Sequence, residues 1–404
     1  MSKSYAQRAL IAASLARGDS TVRYWEPLPE DVLVMIRALR RMGIEVSRGH
    51  VKGSEPKVPD GVIDVRGSGT SLRLLTSYAT IAEDGYTVIS GSAGLLRRPV
   101  GPLVRAINDL GGWALAARGN LPPVIVKGER MKGGRTRIEE AESSQYVSSL
   151  LLVSPYNRST TTITWKNRVS EHYVRMTVYV MRAFGVEVQE GGDEFVVEPS
   201  SYRPASFEVP ADASSASFFV IMGLLSGRDV HVHGLRREPL QADLEEILRM
   251  LEGLGVRAVF DGSGMSVSGT ISAKSLSVNL RNSPDLFPPV SALGCRIPVL
   301  ISGIEHVRLK ESDRIAAMSA ELAKLGCRTR YEGGSFEVMP PSRLEKRAKL
   351  SGWNDHRVVM ALSALCASLG VECEISGYEA VKKSYPTFFT DLVRNGAEVR
   401  VVER

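Results

Sequence analysis

The stretch MIRALRRMGIEV (35–46) reads as a helix that stops at a glycine and turns at once into a β-branched strand. It recurs as LVRAINDLGGWAL (103–115), VYVMRAFGVEVQ (178–189), EILRMLEGLGVRAV (246–259), MSAELAKLGCRTR (318–330) and FTDLVRNGAEVRV (389–401). The terminating glycines, Gly43, Gly111, Gly185, Gly255, Gly326 and Gly396, are separated by 68, 74, 70, 71 and 70 residues. A glycine just past a helix ends it cheaply, because without a Cβ it enters the left-handed region at little cost. Apolar residues at i, i+3, i+4 and i+7 before each glycine give each helix one buried stripe. Any α/β protein alternates helix, glycine and strand, but not at five nearly equal intervals. The chain is therefore read as six repeats of an α/β unit.

A chain of 404 residues exceeds one ordinary core, so three repeats per domain is the natural division. The boundary is expected in SYRPASFE (201–208), a polar stretch containing Pro204, which gives domains 1–204 and 205–404. Ligands are expected where loops from the two halves converge.

A net charge of +6 and a pI near 9.1 favour an acidic partner without choosing between a small anion and nucleic acid. The basic doublets never grow into a polybasic run, and only 6% of residues are aromatic, so an RNA-binding repeat protein lacks its stacking surface. Cys295, Cys327, Cys366 and Cys373 show no CxxC spacing and no histidines at ligand spacing. Buried reduced thiols are expected, with no metal site. The apolar run ALIAASLA (9–16) is short for a signal peptide, and no stretch reaches the roughly 18–20 apolar residues of a membrane span. A cytoplasmic protein with no membrane partner is the expectation.

The chemistry is concentrated at predicted helix starts. SKSYAQRAL (2–10) brings Lys3 and Ser4 to a helix N-terminus with Arg8 one turn on, where free N–H groups and two cations suit an anion. GSGTSLRLL (67–75) offers a glycine loop around Gly69, a capping candidate in Thr70, and Arg73 on the helix. RRPVGPL (97–103) holds Arg98 before a proline, hence extended. SSQYVSSLLL (143–152) opens with Ser143, Ser144 and Gln145, donors and acceptors suited to a polyol. RLKESDRIAAM (308–318) sets Glu311 between Lys310 and Arg314, and it stays ionised unless a bound anion neutralises those cations. WNDHRVVMALSAL (353–365) stacks Asn354, Asp355, His356 and Arg357 before an apolar helix, and KKSYPTFF (382–389) adds Lys383. Taken singly, each is also an ordinary capped helix. Together they imply a substrate, or two, carrying several negative charges.

These blocks and DASSASFF (212–219), in this order, resemble the signature segments of the 5-enolpyruvylshikimate-3-phosphate synthase family across nearly the whole chain. The resemblance implies a two-domain inside-out α/β barrel, each domain a three-fold repeat, in a monomer that needs no cofactor or metal. It implies transfer of the enolpyruvyl group of phosphoenolpyruvate to the 5-hydroxyl of shikimate 3-phosphate, with release of phosphate. By resemblance Lys3, Ser4, Arg8, Ser143, Ser144, Gln145, Ser170, Tyr173, Asp285, His306 and Lys310 hold shikimate 3-phosphate. Lys3, Gly69, Gln145, Arg98, Arg314, Arg357 and Lys383 hold phosphoenolpyruvate. Asp285 takes the hydroxyl proton, Glu311 exchanges protons at the methylene carbon, and Lys3 is a second proton carrier. Space left by Gly69 implies sensitivity to glyphosate.

Three departures stand out. The family carries about twenty residues and a strand before this lysine, so Lys3 is expected either on a frayed terminus or downstream of a further segment. His306 replaces a phosphate-binding asparagine, and Leu74 replaces a proline. The rival readings are a transferase acting on a UDP-amino sugar, which lacks its loop cysteine here, and a catalytically impaired relative.

Overall fold

The computed structural model describes residues 1–139 and 142–402. The chain divides into two compact units, Met1–Pro210 and Ala211–Arg404. In the first unit the elements are α1 (Lys3–Leu15), β1 (Gly18–Arg23), α2 (Glu30–Arg41), β2 (Glu45–Ser47) and β3 (His50–Gly53). Next come β4 (Ile63–Asp64), α3 (Gly69–Tyr78), β5 (Tyr86–Ser90), α4 (Gly101–Asp109), β6 (Ala114–Arg118) and β7 (Leu121–Lys127). The last are β8 (Gly134–Ile138), α5 (Gln145–Val153), β9 (Thr161–Trp165), α6 (Glu171–Ala183), β10 (Gln189–Gly191), β11 (Glu194–Val197) and β12 (Ser206–Glu208).

The second unit begins with α7 (Ala213–Ser226), β13 (Val230–His233), α8 (Leu244–Gly253), β14 (Arg257–Phe260) and β15 (Gly264–Ser268). It continues with β16 (Leu276–Asn279), α9 (Phe287–Leu293), β17 (Val299–Ser302), α10 (Arg314–Lys324), β18 (Arg328–Glu332) and β19 (Ser335–Met339). It closes with β20 (Arg347–Ser351), α11 (His356–Leu369), β21 (Glu372–Ser376) and α12 (Phe388–Arg394).

The order strand, helix, strand, helix, strand, strand recurs through both units. Within a repeat the first two strands pair in parallel across a helix, as β4 with β5 and β16 with β17, and the last two form antiparallel neighbours. Each unit carries three sheets, ordered β12-β1-β3-β2, β4-β5-β7-β6 and β10-β11-β9-β8 in the first. In the second they are β13-β15-β14, β16-β17-β19-β18 and β20-β21. The six expected glycines all follow a helix, α2, α4, α6, α8, α10 or α12, with φ between +73° and +93°.

The expected boundary at 204 falls too early. Strand β12 lies beyond it and pairs in parallel with β1, Thr21 opposite Ser206, so the first unit keeps the chain through Pro210.

The two helices of a repeat differ in kind. Helix α1 buries every residue from Tyr5 to Leu15, α3 all but Thr70, α5 all but Gln145 and α9 all seven of its residues. The other helix of a repeat buries one stripe, as α8 does with Leu244, Ile247, Met250 and Leu251. Helices of the first kind, together with the largely buried α7 and α11, pack on one another: α1, α3 and α5 in the first unit, α7, α9 and α11 in the second. Polar residues on them cannot reach water and must find partners inside the protein. That requirement builds the site.

Candidate active site

In the first unit the N-terminal turns of α1, α3 and α5 are stitched together by side chains. Gln7 donates to Ser71 Oγ (2.8 Å) and to the Asp31 carbonyl (3.1 Å). Gln145 donates to Thr70 Oγ1 (2.9 Å) and accepts from Arg73 Nη1 (2.7 Å). Three helix starts, each carrying partial positive charge, are thus held in one place. The cap of α3 is Ser68, whose Oγ accepts from the Ser71 N–H, while Thr70 is taken up by Gln145.

Arg8 is 1% exposed and donates to Thr177 Oγ1 (2.7 Å), the Ser4 carbonyl (2.9 Å) and Ser148 Oγ (3.3 Å). Arg73, also buried, donates to Gln145 and the Pro99 carbonyl and lies over the Tyr146 ring. Among the described residues neither forms an ion pair. Burial lowers both pKa values, that of Arg8 to about 10, so Arg8 stays charged at neutral pH. Two buried cations against neutral oxygens are costly until an anion joins them.

Arg98 takes the extended backbone that Pro99 imposes, φ −92° and ψ 129°. Its guanidinium lies directly against Gly69, where a Cβ would meet Nη1 at 2.6 Å and Cζ at 2.8 Å. The room at Gly69 is therefore filled by Arg98, and any side chain there would push the guanidinium aside. Ser144 caps α5, and Ser143 Oγ accepts from the Gln145 N–H at 3.3 Å. Ser170 caps α6 in a left-handed conformation, φ +56°, with its buried hydroxyl unpartnered among the described residues. Such strain in a non-glycine residue is a mark of functional positions. Tyr173 follows in the first turn of α6, close enough to Arg8 for its phenol to favour the guanidinium's charge.

The start of the chain is not frayed. The Ser2 N–H donates to the Pro210 carbonyl (2.8 Å), Ser2 caps α1, and Lys3 is ion-paired to Asp31 at 2.7 Å.

In the second unit the centre is Arg314, the first residue of α10 and 1% exposed. Its Nε reaches Asp355 Oδ2 (2.9 Å), Nη1 reaches Asp285 Oδ1 (2.9 Å) and Nη2 reaches Glu311 Oε2 (3.1 Å). Asp285 also binds Arg357 Nη2 (2.7 Å), and Glu311 binds Lys383 Nζ (2.7 Å). Burial pushes the Asp285 carboxyl up, but Arg357, Arg314 and Lys310 outweigh it and hold the group well below the carboxylate range. Burial works against the Arg314 charge as well, and its three acids more than restore it.

His306 is buried, and burial, reinforced by Lys310 and Arg281, lowers its pKa to about 3, so the ring is neutral. Its Nε2 has no hydrogen-bond partner among the described residues. Among those residues, no group of three or more His, Cys, Asp or Glu is placed to hold a metal ion, and no helix is long and apolar enough to cross a membrane.

Lys3, Ser4, Arg8, Gly69, Arg98, Ser143, Ser144, Gln145, Ser170 and Tyr173 thus lie in the first unit, around the buried helix starts and α6. In the second, Arg314 pairs with Asp285 and Glu311, which in turn pair with Arg357 and Lys383, and His306 and Lys310 lie within electrostatic reach of Asp285. Sequence reading missed Thr177 and Ser148 as holders of Arg8 and Asp31 as the partner of Lys3; Asp355, singled out there at the start of α11, caps that helix and also holds Arg314. Sequence reading also missed Asp243, fully buried, bonded to Ser214 Oγ and raised to about 7 by burial and by the nearby Asp285.

A family model described as EPSP synthase (3-phosphoshikimate 1-carboxyvinyltransferase) matches residues 1–392. A curated relative from Korarchaeum cryptofilum named 3-phosphoshikimate 1-carboxyvinyltransferase is 37% identical over 410 residues, covering 99% of this chain and 95% of that protein. One of the same name from Methanothermobacter thermautotrophicus is 36% identical over 413 residues, with the same coverage. The solved EPSP synthase from Acinetobacter baumannii superposes with a TM-score of 0.78 at 24% identity, over 98% of this chain and 94% of that one. At that identity the superposition speaks for the α/β fold alone.

Proposed function

The chain belongs to the EPSP synthase family, and from that premise we propose that it transfers the enolpyruvyl group of phosphoenolpyruvate to the 5-hydroxyl of shikimate 3-phosphate in aromatic biosynthesis. The observation that carries the assignment of roles is the cluster on Arg314, in which two carboxylates suited to proton transfer occupy the cations that an anionic substrate needs.

Phosphoenolpyruvate brings a carboxylate and a phosphate. Arg314 and Arg357 match such groups with planar forks, and Lys383 adds a point charge; Arg98, set against Gly69, and Lys3 belong to the same task. When the ligand's oxygens take these cations, Asp285 and Glu311 lose the neighbours that keep them ionised, and their basicity rises. Substrate binding thereby switches on the proton-transfer groups. Asp285 accepts the proton of the 5-hydroxyl while Glu311 delivers one to the methylene carbon of the enolpyruvyl group. Protonation there leaves a cation at the adjacent carbon, which the hydroxyl oxygen attacks to give a tetrahedral adduct. Loss of inorganic phosphate and return of the methyl proton to Glu311 restore the double bond.

Shikimate 3-phosphate falls to Arg8, Ser4, Ser143, Ser144, Gln145, Ser170 and Tyr173, with Lys310 and His306. Arg8 lacks an anionic partner, and the Ser170 hydroxyl and His306 Nε2 lack hydrogen-bond partners, among the described residues. A neutral imidazole still donates one N–H, the service an asparagine amide gives, so the exchange at 306 keeps the function. The test is steady-state phosphate release from phosphoenolpyruvate, with Asp285→Asn and Glu311→Gln beside the unmodified enzyme. Release that depends on shikimate 3-phosphate and falls at least roughly 100-fold in both variants is expected. Release with a UDP-amino sugar and none with shikimate 3-phosphate would overturn the assignment.

A further inference from the structure

Two side chains on one face of α10 hold the turn before α11, and only one of them, Arg314, belongs to the charge cluster described above. The other is Glu321, about two helical turns further along and 1% exposed. Its Oε2 accepts from the Ser351 N–H (2.8 Å) and from Lys324 Nζ (2.7 Å), and its Oε1 accepts from Trp353 Nε1 (2.8 Å). A buried carboxylate is costly unless its oxygens are satisfied, and these donors satisfy both. Lys324 lies on α10 itself, whereas Ser351 and Trp353 belong to the segment that joins β20 to α11.

That segment needs holding. Trp353 and Asn354 take φ of +51° and +52°, two successive non-glycine residues in the left-handed region. Such backbone persists only where its surroundings over-determine it. Gly352 before them is pressed between α11 and β21, since a Cβ there would collide with Val359 Cγ2 and the Ser376 carbonyl. The reversal lets the Asp355 N–H reach the Gly352 carbonyl (2.8 Å). Asp355 then accepts from the Arg357 N–H (2.9 Å), Ser312 Oγ (3.1 Å) and Arg314 Nε (2.9 Å). The turn thus decides where α11 begins and where Arg357, in its first turn, points its guanidinium toward Asp285.

We propose that Glu321 is a positioning residue for substrate binding: through Ser351 and Trp353 it fixes the turn that sets Arg357. The proposal rests on the role in binding phosphoenolpyruvate given above to Arg357. Arg314 holds the same turn through Asp355, but its guanidinium is one that the ligand's oxygens compete for, so that hold weakens as substrate binds. The Glu321 hold uses no group the ligand touches, and it keeps the turn in place through the exchange of partners. A cation already fixed in its binding position loses less freedom when the anion arrives, which favours tight binding.

The experiment compares the full chain with Trp353→Phe, which keeps an aromatic ring and deletes the indole N–H, and with Glu321→Gln. Amide exchange in ligand-free protein, read by mass spectrometry in peptides spanning 351–357, should be at least roughly 10-fold faster in both variants. In steady-state phosphate release the KM for phosphoenolpyruvate should rise on the order of 10-fold, the effect of a lost hydrogen bond to a charged group. The kcat and the KM for shikimate 3-phosphate should stay within about twofold, the pattern of binding lost equally from ground and transition states. If Glu321→Gln does not fold, Trp353→Phe, which leaves the carboxylate its other two donors, carries the test. A lowered Tm with the KM for phosphoenolpyruvate unmoved would make Glu321 a structural group and overturn the proposal, as would unchanged exchange in the turn. If the unmodified enzyme releases no phosphate with shikimate 3-phosphate, the assigned reaction is what fails, and the exchange rates alone then decide for or against the hold on the turn.

Discussion

Arg8 sets a guanidinium at 1% exposure against two hydroxyls and a carbonyl. Thr177 and Ser148 also bond to each other at 2.8 Å, so removing the arginine leaves neither stranded. Arg8→Met should therefore leave the Tm of the free enzyme unchanged or raised, because a buried unneutralised charge is relieved. It should raise the KM for shikimate 3-phosphate on the order of 10- to 100-fold. A lowered Tm with unaltered KM would make Arg8 a structural residue. Asp243 carries a second prediction. Its carboxyl ionises near 3.8 in the unfolded chain and at about 7 in the fold, so the fold holds the proton more tightly. The stability this contributes is fully present below pH 4 and is lost as pH rises to about 7, by at most about 1.4 kcal/mol per unit. Asp243→Asn should flatten that slope in urea unfolding followed across pH; an equal slope in both proteins would refute it. Arg8 and Arg314 were legible because they stand in dense charged or helix-start segments, whereas Asp285 was reached only through the family resemblance. Asp243 was not legible, since QADLEE is what any acidic helix start looks like, and its burial comes from Ser214 on a distant helix.

At the scale of elements, the repeat was legible because its signal is local. A helix, a glycine and a strand follow one another along the chain, and all six glycines take the left-handed φ their position requires. Gly396 isolates that effect: φ is +93°, and a Cβ there would meet nothing within 4 Å. Gly396→Val should therefore cost roughly 1–2 kcal/mol through backbone conformation alone, read as a shifted urea midpoint at unchanged slope. A neutral result would mean the turn after α12 relaxes freely. Two features were not legible. The sequence marks α1, α3 and α5 as apolar but does not say that they pack on one another, because serines on α3 and α5 find their partners only in three dimensions. Strand β12 pairs with β1 across 185 residues, Thr21 to Ser206, and no local pattern announces such a partner.

For the whole molecule, the two units give one chemistry two kinds of preparation. The first holds buried cations against neutral oxygens, and the second holds its cations against the carboxylates they must release. On the proposed function, ligand oxygens neutralise the cations of the first and displace the carboxylates from those of the second, which would tie binding to activation of the proton-transfer groups. The most direct test incubates the enzyme with phosphoenolpyruvate and shikimate 3-phosphate and follows the mixture by phosphorus and proton NMR. The account predicts inorganic phosphate appearing in step with the vinylic methylene protons of an enol ether on the 5-oxygen, and neither signal when shikimate 3-phosphate is omitted. Phosphate release without the enol ether, or release independent of shikimate 3-phosphate, would contradict it.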